Sequence, residues 1–206
     1  MLSNCNCASG ISCNNQFASV ICLMDNIFNL QKALENYTPF NEKESQHLQK
    51  ILAFLKSDDN NYDRSNLSGH ITGSGYLFNT DFSKVLLTHH KFLNKWLMFG
   101  GHSDGDENTF NVATRETCEE SGINNFQPIQ NSIFDVDTHR IPENKKKNEP
   151  EHYHYDIRFA FSTDNEQFII SDESNELRWF TLEEFMQLDR SECGQRIAQK
   201  WRALRD

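Results

Sequence analysis

Positive charge is scarce in this chain. Its 206 residues carry 20 Lys and Arg against 30 Asp and Glu, a formal net charge of -10. A protein that grips nucleic acid by neutralising phosphates needs a basic surface, so this balance counts against such a partner, and the same field disfavours anionic lipid. Long apolar runs are missing too. Nothing approaches the ~20 consecutive apolar residues of a membrane span, and the start MLSNCNCASG has neither the basic region nor the apolar core of a secretion signal. The expectation is a cytoplasmic protein with no membrane and no nucleic-acid partner. Cysteine is sparse outside one place: Cys5, Cys7, Cys13 and Cys22 fall in the first 22 residues, while Cys118 and Cys193 are isolated. The C-x-C-x5-C spacing matches no zinc pattern, so residues 1–24 are expected to be an irregular, cysteine-rich arm with reduced thiols.

What is present falls into two parts. From Asp25 the apolar residues Ile27, Leu30, Ala33 and Leu34 take helical spacing until Pro39 interrupts. A second helix is predicted from Asn41 to Lys56, capped by Asn41 with Glu44 three residues on, and faced by Leu48, Ile51, Leu52 and Leu55. Residues 25–57 thus read as a helical hairpin that packs on the main domain or on a second subunit, the latter making a homodimer. The polar run from Ser57 to Asn66 reads as a linker, and the main domain occupies 67–206.

There the period becomes extended. Strands are predicted over Gly69–Asn79, Lys84–His90, Trp96–Phe99, Phe126–Asp137, His152–Ser162 and Glu176–Phe180, an exposed loop over Thr138–Pro150, and closing helices over Thr181–Leu188 and Glu192–Leu204. Strands, an acidic helix, more strands and then helices make an α/β (α+β) protein with a mixed sheet in an α/β/α sandwich.

The acidic helix carries the chemistry. Glu116, Glu119 and Glu120 stand at i, i+3 and i+4, which puts three carboxylates on one helix face. Their repulsion is relieved by a hard divalent cation, which takes oxygen ligands. Gly101 and Gly105 permit a tight turn before the helix, Asp104, Asp106 and Glu107 favour its N-terminus, and Gly122 stops it. Phe110, Ala113 and Thr117 form the face that docks on the sheet.

Gly101, five residues, Glu107, seven residues and then Arg115-Glu116-Thr117-Cys118-Glu119-Glu120-Ser121-Gly122-Ile123 resembles the Nudix box, G-x5-E-x7-R-E-U-x-E-E-x-G-U with U aliphatic. All seven charged and glycine positions are present. At roughly 5–7% per specified residue, such agreement arises by chance in on the order of one in a million chains of this length. Thr117 departs from the pattern, where an aliphatic residue is usual.

The resemblance implies a Nudix fold from about Gly69 to Leu188 and a Mg²⁺-dependent hydrolase, with Mn²⁺ as substitute, that cleaves the pyrophosphate bond of a nucleoside diphosphate derivative. It implies Glu116, Glu119, Glu120 and the Gly100 carbonyl as metal ligands, with Arg115 holding a carboxylate in place. The base that activates water is Glu173, in the late loop SDESNE, or Glu119. Histidines concentrate near the expected cleft, and His90, His102, His154 and Tyr155 are the candidate contacts to a small nucleotide-type substrate. The rival reading is a nucleotide-binding module without turnover; it predicts a damaged box, and this one is intact. No sequence signature singles out the substrate.

Overall fold

The eleven-residue strand β1 (Gly69–Asn79) pairs with three others and sets the two faces of the molecule. The computed structural model describes residues 28–57, 60–130, 132–144 and 149–205; the arm expected over 1–24 lies outside them, as do Lys145, Lys146 and Lys147 of the charged loop. The other strands are β2 (Lys84–His90), β3 (Lys95–Leu97), β4 (Phe99–His102), β5 (Phe126–Pro128), β6 (Asp135–Ile141), β7 (His152–Thr163) and β8 (Ser174–Thr181). They form one mixed sheet in the order β3-β2-β1-β7-β5, with β4 also on β1, β6 on β7 and β8 on β2. The β1–β7 pair is parallel along its length, from Gly69 opposite Tyr153 to Asn79 opposite Thr163. The helices are α1 (Leu30–Glu35), α2 (Glu42–Leu55), α3 (Thr109–Ser121), α4 (Leu182–Leu188) and α5 (Glu192–Arg205).

Alternation along β1 assigns each face its helices. Ile71 and Leu77, with Ile157, Phe159 and Phe161 of β7, bury against Ile51 and Phe54 of α2 and Phe110 and Ala113 of α3. Tyr76 and Phe78, with Ala160, bury against Phe185 of α4 and Ile197 and Trp201 of α5. This is the mixed-sheet sandwich expected. Helix α3 approaches β1 closely because of two glycines: a Cβ on Gly73 would lie 2.7 Å from the Thr109 carbonyl oxygen, and one on Gly75 would lie 2.3 Å from Thr117 Oγ1.

The helical hairpin packs on its own chain. Leu30, Leu34, Leu48, Ile51 and Phe54 share one core with the sheet, and the fully buried Glu44 of α2 accepts the Val136 N–H of β6 and bonds Lys200 Nζ of α5.

Three expectations about elements need correction. The strand foreseen from Phe126 to Asp137 is two strands separated by a loop, and the second, β6, runs on to Ile141 through residues expected to be exposed loop. Pairing from Asp135 opposite Arg158 to Ile141 opposite His152 supplies that polar segment with a ladder, which its hydropathy did not advertise. The Trp96–Phe99 strand is likewise two short ones, β3 and β4, parted at Met98. The supposed linker is a strap: Asn61 and Tyr62 carbonyls accept from Ile71 and Gly105 N–H at 2.8 and 3.0 Å, and Arg64 grips Asp104 with two bonds of 2.6 Å.

Candidate active site

Helix α3 begins where the Asn108 side chain accepts the N–H groups of Phe110 and Asn111, and ends at Gly122, whose φ of +68° places it in the left-handed region. Phe110, Ala113 and Thr117 are buried on the sheet. That fixes the rotation of the helix, and the opposite flank presents Glu116, Glu119 and Glu120 to the turn at β4.

The three carboxylates sit in graded environments. Glu120 is only 8% exposed, and its Oε1 accepts the Gly100 N–H at 2.8 Å. Glu116 lies against Gly101, where a Cβ would come within 2.6 Å of its carboxyl carbon, so any side chain here would displace that carboxylate. Arg115 Nη1 is 2.9 Å from Glu116 Oε1 and 3.9 Å from Glu119 Oε2, and its Nη2 donates to the His102 carbonyl at 3.3 Å. Glu119 is half exposed.

The charged forms of Glu116 and Glu120 are disfavoured here. Burial raises the pKa of Glu116, Arg115 lowers it in part, and the charges of Glu119 and Glu173 push it up again. Burial also pushes Glu120 up to about 8, against the Gly100 N–H and helped by Glu116, Glu173 and Glu119. Buried carboxylates converging with one arginine between them are the donor set of a hard divalent cation, so the residues present fit Mg²⁺. Glu173 is close enough to act on both, and its own carbonyl accepts the Lys91 N–H at 3.0 Å, which ties its loop to the β2–β3 turn.

The candidate substrate contacts separate. His102 sits on β4 opposite Thr72, with its ring 4.8 Å from that of His70 and 5.1 Å from that of His154. Burial, with the Arg64 charge, lowers His102 to about 4; burial, with the neighbouring imidazoles, lowers His154 to about 2. His90 is occupied locally: its Nδ1 accepts the N–H groups of Phe92 and Leu93 at 3.2 and 3.3 Å and closes the β2–β3 turn. Tyr155 faces the other way, stacked at 4.0 Å on Phe54 of α2, because alternation along β7 opposes it to His154.

Residues that sequence reasoning passed over complete the surroundings. Thr72 and Ser74 donate to Asp156 Oδ1 at 2.9 and 2.7 Å, and Arg158 Nε donates to Asp156 Oδ2 at 2.7 Å. The i, i+2 spacing of His70, Thr72 and Ser74 was the available signal of a polar strip. Arg64 and Asp104 gave none, being 40 residues apart.

The NUDIX domain family matches residues 70–200, more than half of the chain. The chain belongs to the Nudix family. Nudix enzymes generally use a divalent metal, and relatives of this chain are named as pyrophosphohydrolases. A probable DHNTP pyrophosphohydrolase of Lactococcus lactis subsp. cremoris (strain MG1363) is 29% identical over 141 residues, 67% of this chain and 79% of that protein. Two solved structures share the fold. The E. coli dihydroneopterin triphosphate pyrophosphohydrolase is similar with a TM-score of 0.50 at 14% identity, covering 63% of this chain and 92% of its own. The MutT protein from Methanosarcina mazei Go1 is similar with a TM-score of 0.51 at 20% identity, covering 66% and 92%.

Proposed function

We propose that this Nudix hydrolase cleaves, with Mg²⁺, a pyrophosphate bond in a small nucleotide-type substrate. A nucleoside diphosphate derivative is one candidate. Dihydroneopterin triphosphate is another, on the strength of the Lactococcus relative's name. The observation that carries the reading is the convergence of the buried carboxyls of Glu116 and Glu120 on the Gly100-Gly101 turn, where burial disfavours their charged forms and no cation offsets it at Glu120. Glu116, Glu119, Glu120 and the Gly100 carbonyl would hold the ion, with Mn²⁺ able to substitute. When bound, Mg²⁺ screens phosphate oxygens and stabilises the charge that develops on them.

The chain's own groups do the rest. Arg115 spans Glu116 and the His102 carbonyl, so it fixes the carboxylate relative to the turn. The Gly100 N–H fixes Glu120 in the same way. A water oxygen bonds to phosphorus, its proton passes to Glu173 or Glu119, and the bridging P–O bond breaks, with the electron pair leaving on the departing phosphate. Of the candidate contacts, His102 is the one attached directly to the turn, so it is the one assigned to the substrate.

The test is phosphate release, coupled to a phosphatase, from dihydroneopterin triphosphate, ADP-ribose, NADH, coenzyme A, nucleotide sugars, dinucleoside polyphosphates and nucleoside triphosphates, with and without Mg²⁺. Metal-dependent turnover of one class supports the proposal and names the substrate. Silence across the panel, with one member raising the melting temperature, would overturn it in favour of a binding module.

A further inference from the structure

Beyond the carboxylate site, five histidines from four strands meet on one sheet face. Strand register does this: His70 of β1 stands opposite His154 of β7, His154 stands opposite His139 of β6, His152 lies two residues before His154, and His102 of β4 is opposite Thr72. Nitrogen atoms of His70, His152 and His154 all lie within 4.8 Å of one another.

Three features distinguish this group from histidines that merely pack. First, His152 Nε2 and His154 Nε2 are 3.3 Å apart. Two nitrogens on one tetrahedral zinc, each ~2.0–2.1 Å from it, are separated by roughly 3.3–3.4 Å. Second, His152 Nδ1 lies 2.8 Å from the Pro150 carbonyl oxygen. A carbonyl only accepts, so Nδ1 carries the proton and the neutral ring turns a bare Nε2 lone pair toward His154, the arrangement by which metal-binding histidines are held. Third, His70 is 3% exposed and neither of its ring nitrogens makes a well-formed hydrogen bond; the backbone of Asn66 is near enough to favour its protonated form, against the larger effect of burial. A His152–His154 hydrogen bond would engage those two rings and still leave His70, a buried polar group, without a well-formed hydrogen bond, which is costly.

We infer that His70, His152 and His154 form a second metal centre, selective for borderline divalent ions such as Zn²⁺ and separate from the carboxylate site. Three imidazoles without a carboxylate suit zinc and its neighbours rather than Mg²⁺. Three protein ligands leave a fourth position. His152 and His154 are only partly buried, so that position opens toward solvent and takes water or an anionic oxygen.

The inference is independent of turnover and is tested by zinc content. The full chain is dialysed against Zn²⁺ in excess Mg²⁺, and affinity is read by competition with a chromophoric chelator. One zinc per chain is expected, with affinity at least about tenfold weaker in His152→Gln and in His154→Gln, and unchanged in Glu120→Gln and in a chain with Cys5, Cys7, Cys13 and Cys22 replaced by Ser. His152 is partly exposed, so its variant avoids the folding risk of replacing the buried His70. Absence of stoichiometric zinc, its retention in both histidine variants, or its loss with Glu120 or the cysteines would each overturn the inference.

Discussion

Around Asp135 every buried carboxylate has a cationic partner; among the described residues Glu120 has none. Asp135 is fully buried, yet Arg196 Nε, Lys200 Nζ and Arg158 Nη1 lie 2.7, 2.8 and 3.2 Å from its oxygens. Glu44, Asp137 and Asp156 share the same three cations. Burial alone would raise Asp135, but Arg196, Arg158 and Lys200 overcome it and hold the carboxyl down to about 2. At the box Glu116, Glu119, Glu120 and Glu173 have Arg115 among them, and burial wins: Glu120 rises to about 8. The same residue types thus serve two ends. A closed network joins α2, β6, β7 and α5, whereas the box carboxylates share the single cation Arg115.

The comparison breaks most visibly at Glu120. Glu120→Gln removes a carboxylate from the open cluster, and kcat/KM should fall by roughly 10²–10³-fold or more, the scale of losing a preorganised electrostatic contact. The melting temperature should hold or rise, since no matched charge is lost; near-normal turnover in this variant would falsify the metal assignment. In the closed network the outcome reverses. Arg196→Met leaves Asp135 short of a partner and should cost about 3–5 kcal/mol, read by denaturant melts, while turnover per folded molecule stays near wild type.

The matched network also has a pH signature. Asp135 and Asp137 titrate below their ordinary range when folded, so the stability they contribute is complete above about pH 4 and is lost as pH falls toward about 2. Melting temperature against pH should therefore drop on that acid limb, and Asp135→Asn should flatten it. A limb unchanged by Asp135→Asn would show that other carboxylates carry the acid sensitivity. The smallest effect belongs to the strap. The Arg64–Asp104 pair is half exposed, so Arg64→Ala should cost less than about 1 kcal/mol yet lower turnover several-fold by loosening the loop that follows Gly101; equal losses in both assays would make it a plain surface pair.

The acidic helix was legible because its pattern is contiguous. Gly101 to Ile123 spells out the turn, the cap, the carboxylate face and the stop in one stretch, and each follows from spacing on a single helix. The hairpin helices and the long strands β1, β2 and β7 were legible for the same reason, since local periodicity carries them. Strand β6 was not: from Asp135 to Ile141 only Val136 and Ile141 are apolar, so no period-2 alternation marks it, and its polar side chains find partners in Arg158, Arg196 and His47 from distant parts of the chain. Nor was the division among the candidate contacts. His154 and Tyr155 are neighbours in sequence but face opposite sides of the sheet, and His90 spends its nitrogen on a turn.

By itself, then, the sequence determined the family, the order of elements and the carboxylate face, because these depend on residues within a few helical turns of one another. Tertiary structure alone decided that the hairpin is fastened to its own domain through Glu44 and Lys200, and that Arg64 straps the loop through Asp104. It also brought His70 and His102 to His152 and His154. Each of these joins residues from about 40 to more than 150 positions apart. Their meeting is fixed by strand register and helix docking, which no local pattern encodes.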